Sequence, residues 1–375
     1  MRTSGALVLR QRGFSLVELM VSLVIGLILL LGAVAIMVSS KQNYVIQDDL
    51  ARIQENARFA MDMIASDLKV AGYMGCINDM TPAPGGPINN RLSAAGTGGL
   101  LDFVRPLEGF QGSNDPAVAP GIINWLPTNT AVANLGGGAN ENPVNNSDAI
   151  TIRHIGGPAE EPTAAMANSQ SPITIANTTL GLAVGEIAAI SSCSTSDVFQ
   201  VTGLTGGIQH AASGLNTTDV FNGAYGTTGV NVSRATAVRY YVGSLPAGDP
   251  AGTALFRLLN NDPNPQRLVD GVEMMQITYG VDSTGDGLPN CFTPASAACN
   301  GVLLDTTANN WNNVVSVRIA LLLASPDQVA SDVDNNTYQV NDVQVQACGA
   351  QPCHPQDRRR RKVVSTTVLV RNDSL

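Results

Sequence analysis

At 375 residues the chain is long enough for one or two ordinary hydrophobic cores, which rules out a small stapled scaffold. Charged residues make up 14% and aromatics 5%, with 37 Gly and 20 Pro; this suits a β-rich body with long loops and excludes a disordered polyelectrolyte. The formal net charge is −9, and loss of Arg2, Arg10 and Arg12 with the first thirteen residues would take it to −12, so DNA contact would need a local basic patch.

The N-terminus carries the first predicted element. Residues 14–38 hold one charge, Glu18, in an otherwise apolar run. At about 1.5 Å per helical residue, such a run exceeds a hydrocarbon core of about 30 Å and can span a membrane. The order of parts is inverted relative to an ordinary secretory signal, because the small residue Gly13 precedes the apolar run instead of following it. A cut after Gly13 would discard the three arginines, keep the apolar helix and leave Phe14 as the new N-terminus. A carboxylate within such a helix costs about 2.5–3.5 kcal/mol on insertion scales. Its place near the start lets the helix dipole offset part of that cost, and the α-ammonium of a neighbouring subunit's Phe14 could supply the rest. Taken alone, Glu18 reads equally well as an acid at the membrane edge reaching the headgroups.

The string RGFSLVELMVSLVIGLILL resembles the class III signal of type IV prepilins, with Gly before the cut, Phe after it and Glu five residues into the mature chain. The resemblance implies that Gly13 is the cleavage-site residue, Phe14 the N-methylated first residue and Glu18 the acid that aligns incoming subunits. It departs from many major pilins in having no Pro from Phe14 to Ala71.

The helix is predicted to continue beyond the membrane. Ile46, Leu50, Ile53, Ala57, Ala60, Ile64, Leu68 and Ala71 recur at steps of three and four, one face of an amphipathic helix over residues 39–72. Asp48 with Arg52, and Arg58 with Asp62, are four apart on the wet side. Gly72 and Gly75 are the predicted stops. Residues 77–146, rich in Gly, Pro and Asn, read as an irregular surface excursion with a strand near Leu101–Val104. Strand patterns follow at Ala149–Ile155, Ile173–Ala176, Val184–Ile190, Val198–Leu204 and Ala237–Val242. The clearest alternations run through Met275–Val281, Val315–Leu323 and Val364–Val370, each predicting a strand with one better buried face. A long helix followed by strands predicts an α+β fold, the helix laid on an antiparallel β-sheet head over residues 73–375.

ARIQENARFAMDMIASDLKVAGYMGC, LVDGVEMMQITYGVD, WNNVVSVRIALLLASPD and RRRRKVVSTTVLVRN are similar to blocks of the PilW minor-pilin family. That resemblance implies a type IV pilin-like fold and a minor pilin that helps prime filament assembly within a tip complex. Its expected partners are the prepilin peptidase, other minor pilins, the major pilin, a tip adhesin and the inner membrane. The subunit would be held there by one pass with a periplasmic head before moving to the pilus and cell surface.

The six cysteines are Cys76, Cys193, Cys291, Cys299, Cys348 and Cys353, an even count beyond the apolar segment. In an exported body they suit three disulfides with fifteen connectivities. The short spacings favour Cys291–Cys299 and Cys348–Cys353, which leaves Cys76–Cys193. Zinc at Cys348, Cys353 and His354 lacks a fourth ligand nearby. Asp282, Asp286 and Asn290 resemble part of a calcium loop, but Thr284 and Thr293 stand where an EF-hand has oxygen-rich ligands. A Gly-rich turn is the favoured reading and calcium the secondary one, with no other cofactor expected.

Arg358–Lys362 is the one dense basic run, and no aromatic interleaves it to stack bases. It reads first as a solvated strand entry; nucleic acid is not an expected partner. No phosphate loop, dinucleotide fingerprint, HExxH or GxSxG motif occurs, and the expectation is a structural protein without catalytic residues. Two alternatives remain: a surface-binding or DNA-uptake pilin, and a type II secretion pseudopilin sharing the same N-terminal signal.

Overall fold

The computed structural model describes residues 15–75, 77, 87–93, 99–112, 143–176, 180–260, 262, 264–304, 310–349 and 352–370. The leader 1–13, Phe14, Cys76 and most of 77–146 lie outside the described residues. By contacts the chain divides into two compact units, 1–51 and 52–375.

Helix α1 runs Leu16–Lys69 without a break. Its sequence holds no Pro and few β-branched clusters outside the apolar part, so propensity does not oppose it. At its end the N–H groups of Val70 and Ala71 turn back to Asp67 and Leu68 in tighter three-residue steps. Gly72 then adopts φ 75°, the left-handed geometry that suits a helix stop. Its N–H leaves the helix and donates to the Arg153 carbonyl at 3.0 Å.

The strands, in chain order, are β1 Ile88–Asn90, β2 Leu107–Phe110, β3 Ala149–Glu160, β4 Ile187–Ser191, β5 Ser196–Gln200 and β6 Asn231–Ser244. Next come β7 Thr253–Leu259, β8 Gln266–Asp270, β9 Val272–Val281, β10 Cys291–Thr293, β11 Ala298–Cys299 and β12 Val302–Leu303. The last are β13 Val314–Ala324, β14 Tyr338–Val340, β15 Val343–Ala347, β16 Cys353–His354 and β17 Arg361–Leu369. One sheet has the order β1-β5-β4-β6-β3-β2, with β7 beside β6 and β8 beside β7; a second has the order β10-β9-β13-β17. All pairings between these strands are antiparallel except β1 with β5 and β15 with β16.

The main core lies where the C-terminal part of α1 meets both sheets. Ile53, Ala57, Ala60, Ile64, Leu68 and Ala71 pack with Ile150, Val238 and Tyr240 of the first sheet and with Met275, Ile277, Ile319, Leu321 and Val368 of the second. The 3–4 spacing read from the sequence is therefore the stripe that the head covers. Asp67 ties the last turn of α1 to the first sheet, accepting from Tyr240 Oη at 2.6 Å and pairing with Arg257 at 3.4 Å.

Three features of the head differ from the sequence expectation. The alternation in β9 predicted one buried face, yet all ten of its residues are buried. Its second face, with Met274, is covered by a small core that also holds Ala320, Leu322, Val340 and Val345, because the β14–β15 hairpin folds over it. Leu101–Val104 forms turns instead of a strand, and the strand lies at Leu107–Phe110. The described part of 77–146 reaches into the core, for Leu100, Leu101, Phe103 and Leu107 are all buried.

The reason for the second difference is Arg153 on β3, which is fully buried. It donates Nε to the Leu100 carbonyl at 2.7 Å, Nη1 to the Arg105 carbonyl at 2.7 Å and Nη2 to the Gly99 carbonyl. It also pairs with the buried Glu108 at 2.8 Å. A guanidinium that takes three carbonyls from one segment competes directly with a strand ladder for them. Ile173–Ala176 likewise contributes only isolated bridges at Ile173 and Ile175 and packs into a separate core with Phe199, Phe221 and Tyr225.

Candidate assembly site

From Leu16 to Val38 the large apolar side chains of α1 are exposed; Leu16 and Met37 are each 76% exposed. Length and mean hydropathy, 3.0 in its most apolar stretch, qualify the helix to cross a membrane. A helix apolar on every side and bare on every side has its partner, lipid or another helix, outside the chain. Glu18 is the lone acid of this stretch and lies in the first turn. The N–H groups of Glu18 and Leu19 both donate to the Ser15 carbonyl at 3.1 Å, which starts the helix at this point. The carboxylate therefore lies where the partial positive charge of the helix end favours an anion. An acid there, in an otherwise uncharged surface, is suited to pair with a cation supplied by another molecule. Gly13 and Phe14, the predicted cleavage site and new terminus, lie outside the described residues.

The remaining predicted residues lie in the head and do not gather into one centre. Disulfides join Cys291 with Cys299 and Cys348 with Cys353. The first spans the β10–β11 turn; the second closes a five-residue step beside β15 and β16. The sulfurs of Cys348 and Cys353 are thereby oxidised and are not zinc thiolates, and both ring nitrogens of His354 face the carbonyls of Pro355 and Asn336. The Cys76–Cys193 pairing falls on Cys76, outside the described residues.

In the Asp282–Asn290 loop the oxygens serve the turn itself. Asp282 Oδ1 accepts the N–H groups of Thr284 and Gly285 at 2.9 and 2.7 Å, and Oδ2 accepts that of Gly287 at 2.7 Å. Desolvation raises this carboxyl's pKa, but the Gly287, Thr284 and Gly285 N–H groups outweigh it and hold the pKa below the usual range. Asn290 Oδ1 accepts from Ser283, and Asp286 Oδ1 from the Leu288 N–H. Among the described residues no group of three or more His, Cys, Asp or Glu is arranged to hold a metal ion.

The basic run is split: Arg358, Arg360 and Lys362 are exposed, as the expected solvated strand entry requires, whereas Arg359 is half-buried and Arg361 is buried. Arg361 is buried and forks onto Glu273 at 2.7 and 2.9 Å, with Asp334 at 3.1 Å and Asp357 at 2.9 Å. Arg359 donates to the carbonyls of Pro250 and Ala251, and Arg358 to that of Ala330. Of the carboxylates that claim Arg361, only Asp357 is near in sequence; Glu273 and Asp334 come from distant segments, so spacing could not reveal them. The same holds for Arg153 with Glu108 and for Arg239, which donates to Thr151 Oγ1 at 2.7 Å and lies 4.6 Å over the Phe110 ring. Burial pushes the Arg239 pKa down to about 9, against the pull of Glu108. These arginines brace the head.

One long helix, bare and apolar at its start with an acid in the first turn, followed by a largely antiparallel β head, is the type IV pilin-like α+β fold expected from the sequence. Two family models match this chain: the prokaryotic N-terminal methylation motif over residues 9–34 and the type IV pilus-assembly protein W family over residues 239–372. The chain thus carries a prepilin-type N-terminal motif and, from within β6 to β17, a segment similar to the type IV pilus-assembly protein W family. Among solved structures it is similar to a type IV-like pilin from Thermus thermophilus, with 14% identity and a TM-score of 0.21 over 37% of this chain and 66% of that one. Comparison with curated proteins finds no match.

Proposed function

We propose that this chain is a minor pilin: a structural subunit, not an enzyme, that helps prime the type IV pilus as part of a tip complex. The reading is carried by the bare α1 surface with its single acid. Held by residues 14–38 in the inner membrane with its head in the periplasm, the subunit awaits the prepilin peptidase. It then docks by apolar helix contact plus a Glu18 pairing with the Phe14 amine of a neighbouring minor or major pilin. The PilW similarity supports this over a type II secretion pseudopilin. The Arg358–Lys362 run, in which Arg358, Arg359 and Arg361 are engaged within the head, gives little support to DNA uptake. Calcium at Asp282, Asp286 and Asn290 stays secondary, since the carboxylate oxygens already serve backbone N–H groups.

The test is Glu18→Ala in the native host, read by immunoblot of membranes and of sheared filaments. The expected result is a normal membrane level with loss from filaments and fewer pili. Normal pilus number with the variant present in filaments overturns the assembly role. Gly13→Glu serves as the companion variant and should leave the leader attached; an unchanged mature mass would refute cleavage after Gly13.

A further inference from the structure

The outer face of the second sheet carries a groove that none of the foregoing explains. It encloses about 490 Å³ and runs between β10 and the β14–β15 hairpin. That volume lies within the range of small-molecule sites. Thr278, Arg318, Ala320 and Ser365 form its floor, while Phe292 and Pro294 line one side and Gln339, Asn341 and Asp342 the other.

Three observations make this more than a surface dent. Arg318 is the one exposed residue of β13, whose other ten residues are buried. Its guanidinium lies 4.1 Å over the Phe292 ring and reaches Thr367 Oγ1 at 3.5 Å, and it makes no ion pair among the described residues. Arg153, Arg358, Arg359 and Arg361 are spent on carboxylates or carbonyls and Arg239 on Thr151 Oγ1 and the Phe110 ring, whereas Arg318 is exposed, rests on the Phe292 ring and keeps its N–H edge open. Thr278, 6% exposed and part of the lining, carries a buried hydroxyl with no hydrogen-bond partner among the described residues. A buried, unpartnered hydroxyl carries a desolvation penalty that a bound polar group would remove. Asn341 spends its amide N–H groups on the carbonyls of Gln276 and Arg318, which holds the side chain in place with its oxygen still able to accept.

We propose that this groove binds an acidic saccharide unit, its carboxylate on Arg318. A planar guanidinium edge matches a carboxylate in a two-point fork. The hydroxyl and amide groups of Thr278, Ser365, Asn341 and Gln339 suit the ring hydroxyls of a sugar, and Phe292 with Pro294 offers the apolar wall that a sugar's C–H face packs on. Asp342, on the hairpin side, accepts hydroxyl hydrogens and repels the acid, so the carboxylate is directed toward Arg318. An acidic peptide fits less well. The floor strands β9 and β13 are each paired on both sides, so the centre of the floor offers a peptide no free strand edge. The proposal does not depend on the pilus role, because binding is read on the isolated chain.

The experiment is titration of the detergent-solubilised full chain, at low salt, with a hexuronate trisaccharide, the matching neutral hexose trisaccharide and an acidic tripeptide. The hexuronate is expected to saturate at micromolar to low-millimolar concentration and the neutral sugar to bind about tenfold more weakly or not at all. Arg318→Gln, at an exposed position, should lose about tenfold for the hexuronate alone, and Thr278→Val should weaken both sugars. Failure of the wild-type chain to saturate, equal affinity for the neutral sugar, preference for the peptide, or an Arg318→Gln chain that binds as well as wild type each overturns the proposal. The three-ligand comparison on the wild-type chain needs no variant to fold.

Discussion

The two parts of α1 follow opposite rules. From Leu16 to Val38 every large apolar side chain is exposed, whereas from Ile53 to Leu68 the apolar residues at three- and four-residue steps are buried. The first part is apolar all round and the second on one stripe, so one has no partner within its own unit and the other is completed by the head. The lesson is that hydrophobicity here marks two destinations. The stripe serves stability of the folded head, and the bare cylinder offers an apolar surface that the head does not use. Substitutions should separate these two currencies cleanly.

The largest effect on the head should come from Arg153→Leu. It removes the buried partner of Glu108, which keeps only Arg105 at 3.2 Å, and strips donors from the Gly99, Leu100 and Arg105 carbonyls. A loss of about 3–5 kcal/mol is expected in chemical denaturation of the head. A near-neutral result would show that this cluster does not brace the fold. Next, Ile64→Ala should cost about 2–5 kcal/mol by leaving a cavity between α1 and the two sheets, while Leu29→Ala leaves the melting of the head unchanged. If both variants shift it equally, the contrast between the two parts of the helix fails.

Asp148 gives a pH test of the head alone. Its oxygens accept the N–H groups of Gly112 and Ile277 at 2.9 and 2.8 Å, yet desolvation raises its pKa to about 7. The folded head thus keeps a proton that the unfolded chain releases near the ordinary carboxyl value. Stability from this group is therefore highest below about pH 4 and falls as pH rises to about 7, by at most about 1.4 kcal/mol per pH unit. His154 and His210, whose pKa values burial lowers, act the other way, losing stability as pH falls below the ordinary histidine range. The informative quantity is the difference between wild type and Asp148→Asn, whose stability profile should lack the decline from pH 4 to 7. Parallel profiles would remove Asp148 as its source. The smallest effect is expected at the exposed Arg58–Asp62 pair, 3.6 Å apart on the wet face of α1. Arg58→Ala should leave the melting temperature within error, and a clear drop would mean that this face is covered by something besides water.

How much of this was legible beforehand depends on whether the signal is local. The helix, its two halves, its stop near Gly72 and the strands around Met275–Val281, Val315–Leu323 and Val364–Val370 all follow from periodicity, which neighbouring residues set. The prepilin signal is likewise local, a string whose meaning lies in the order Gly13, Phe14, Glu18. The misread segments have distant causes. Leu101–Val104 has strand-forming residues, but the carbonyls of Gly99, Leu100 and Arg105, on either side and at its start, go to Arg153, about fifty positions away. Gln276 and Thr278 look like a solvent face until the β14–β15 hairpin covers them. Arg361 looks like one more surface cation until Glu273, Asp334 and Asp357 converge on it.

The amino-acid order by itself determined the apolar rod, the acid in its first turn and the alternating strands, because hydrophobic period and helix-end chemistry act over a few residues. Tertiary structure alone decided which polar groups are buried, which arginines face inward and that Arg318 keeps an open edge above a buried hydroxyl. Those outcomes depend on charges and hydroxyls far apart in the chain competing for partners in the same small volume, a competition that no local pattern records.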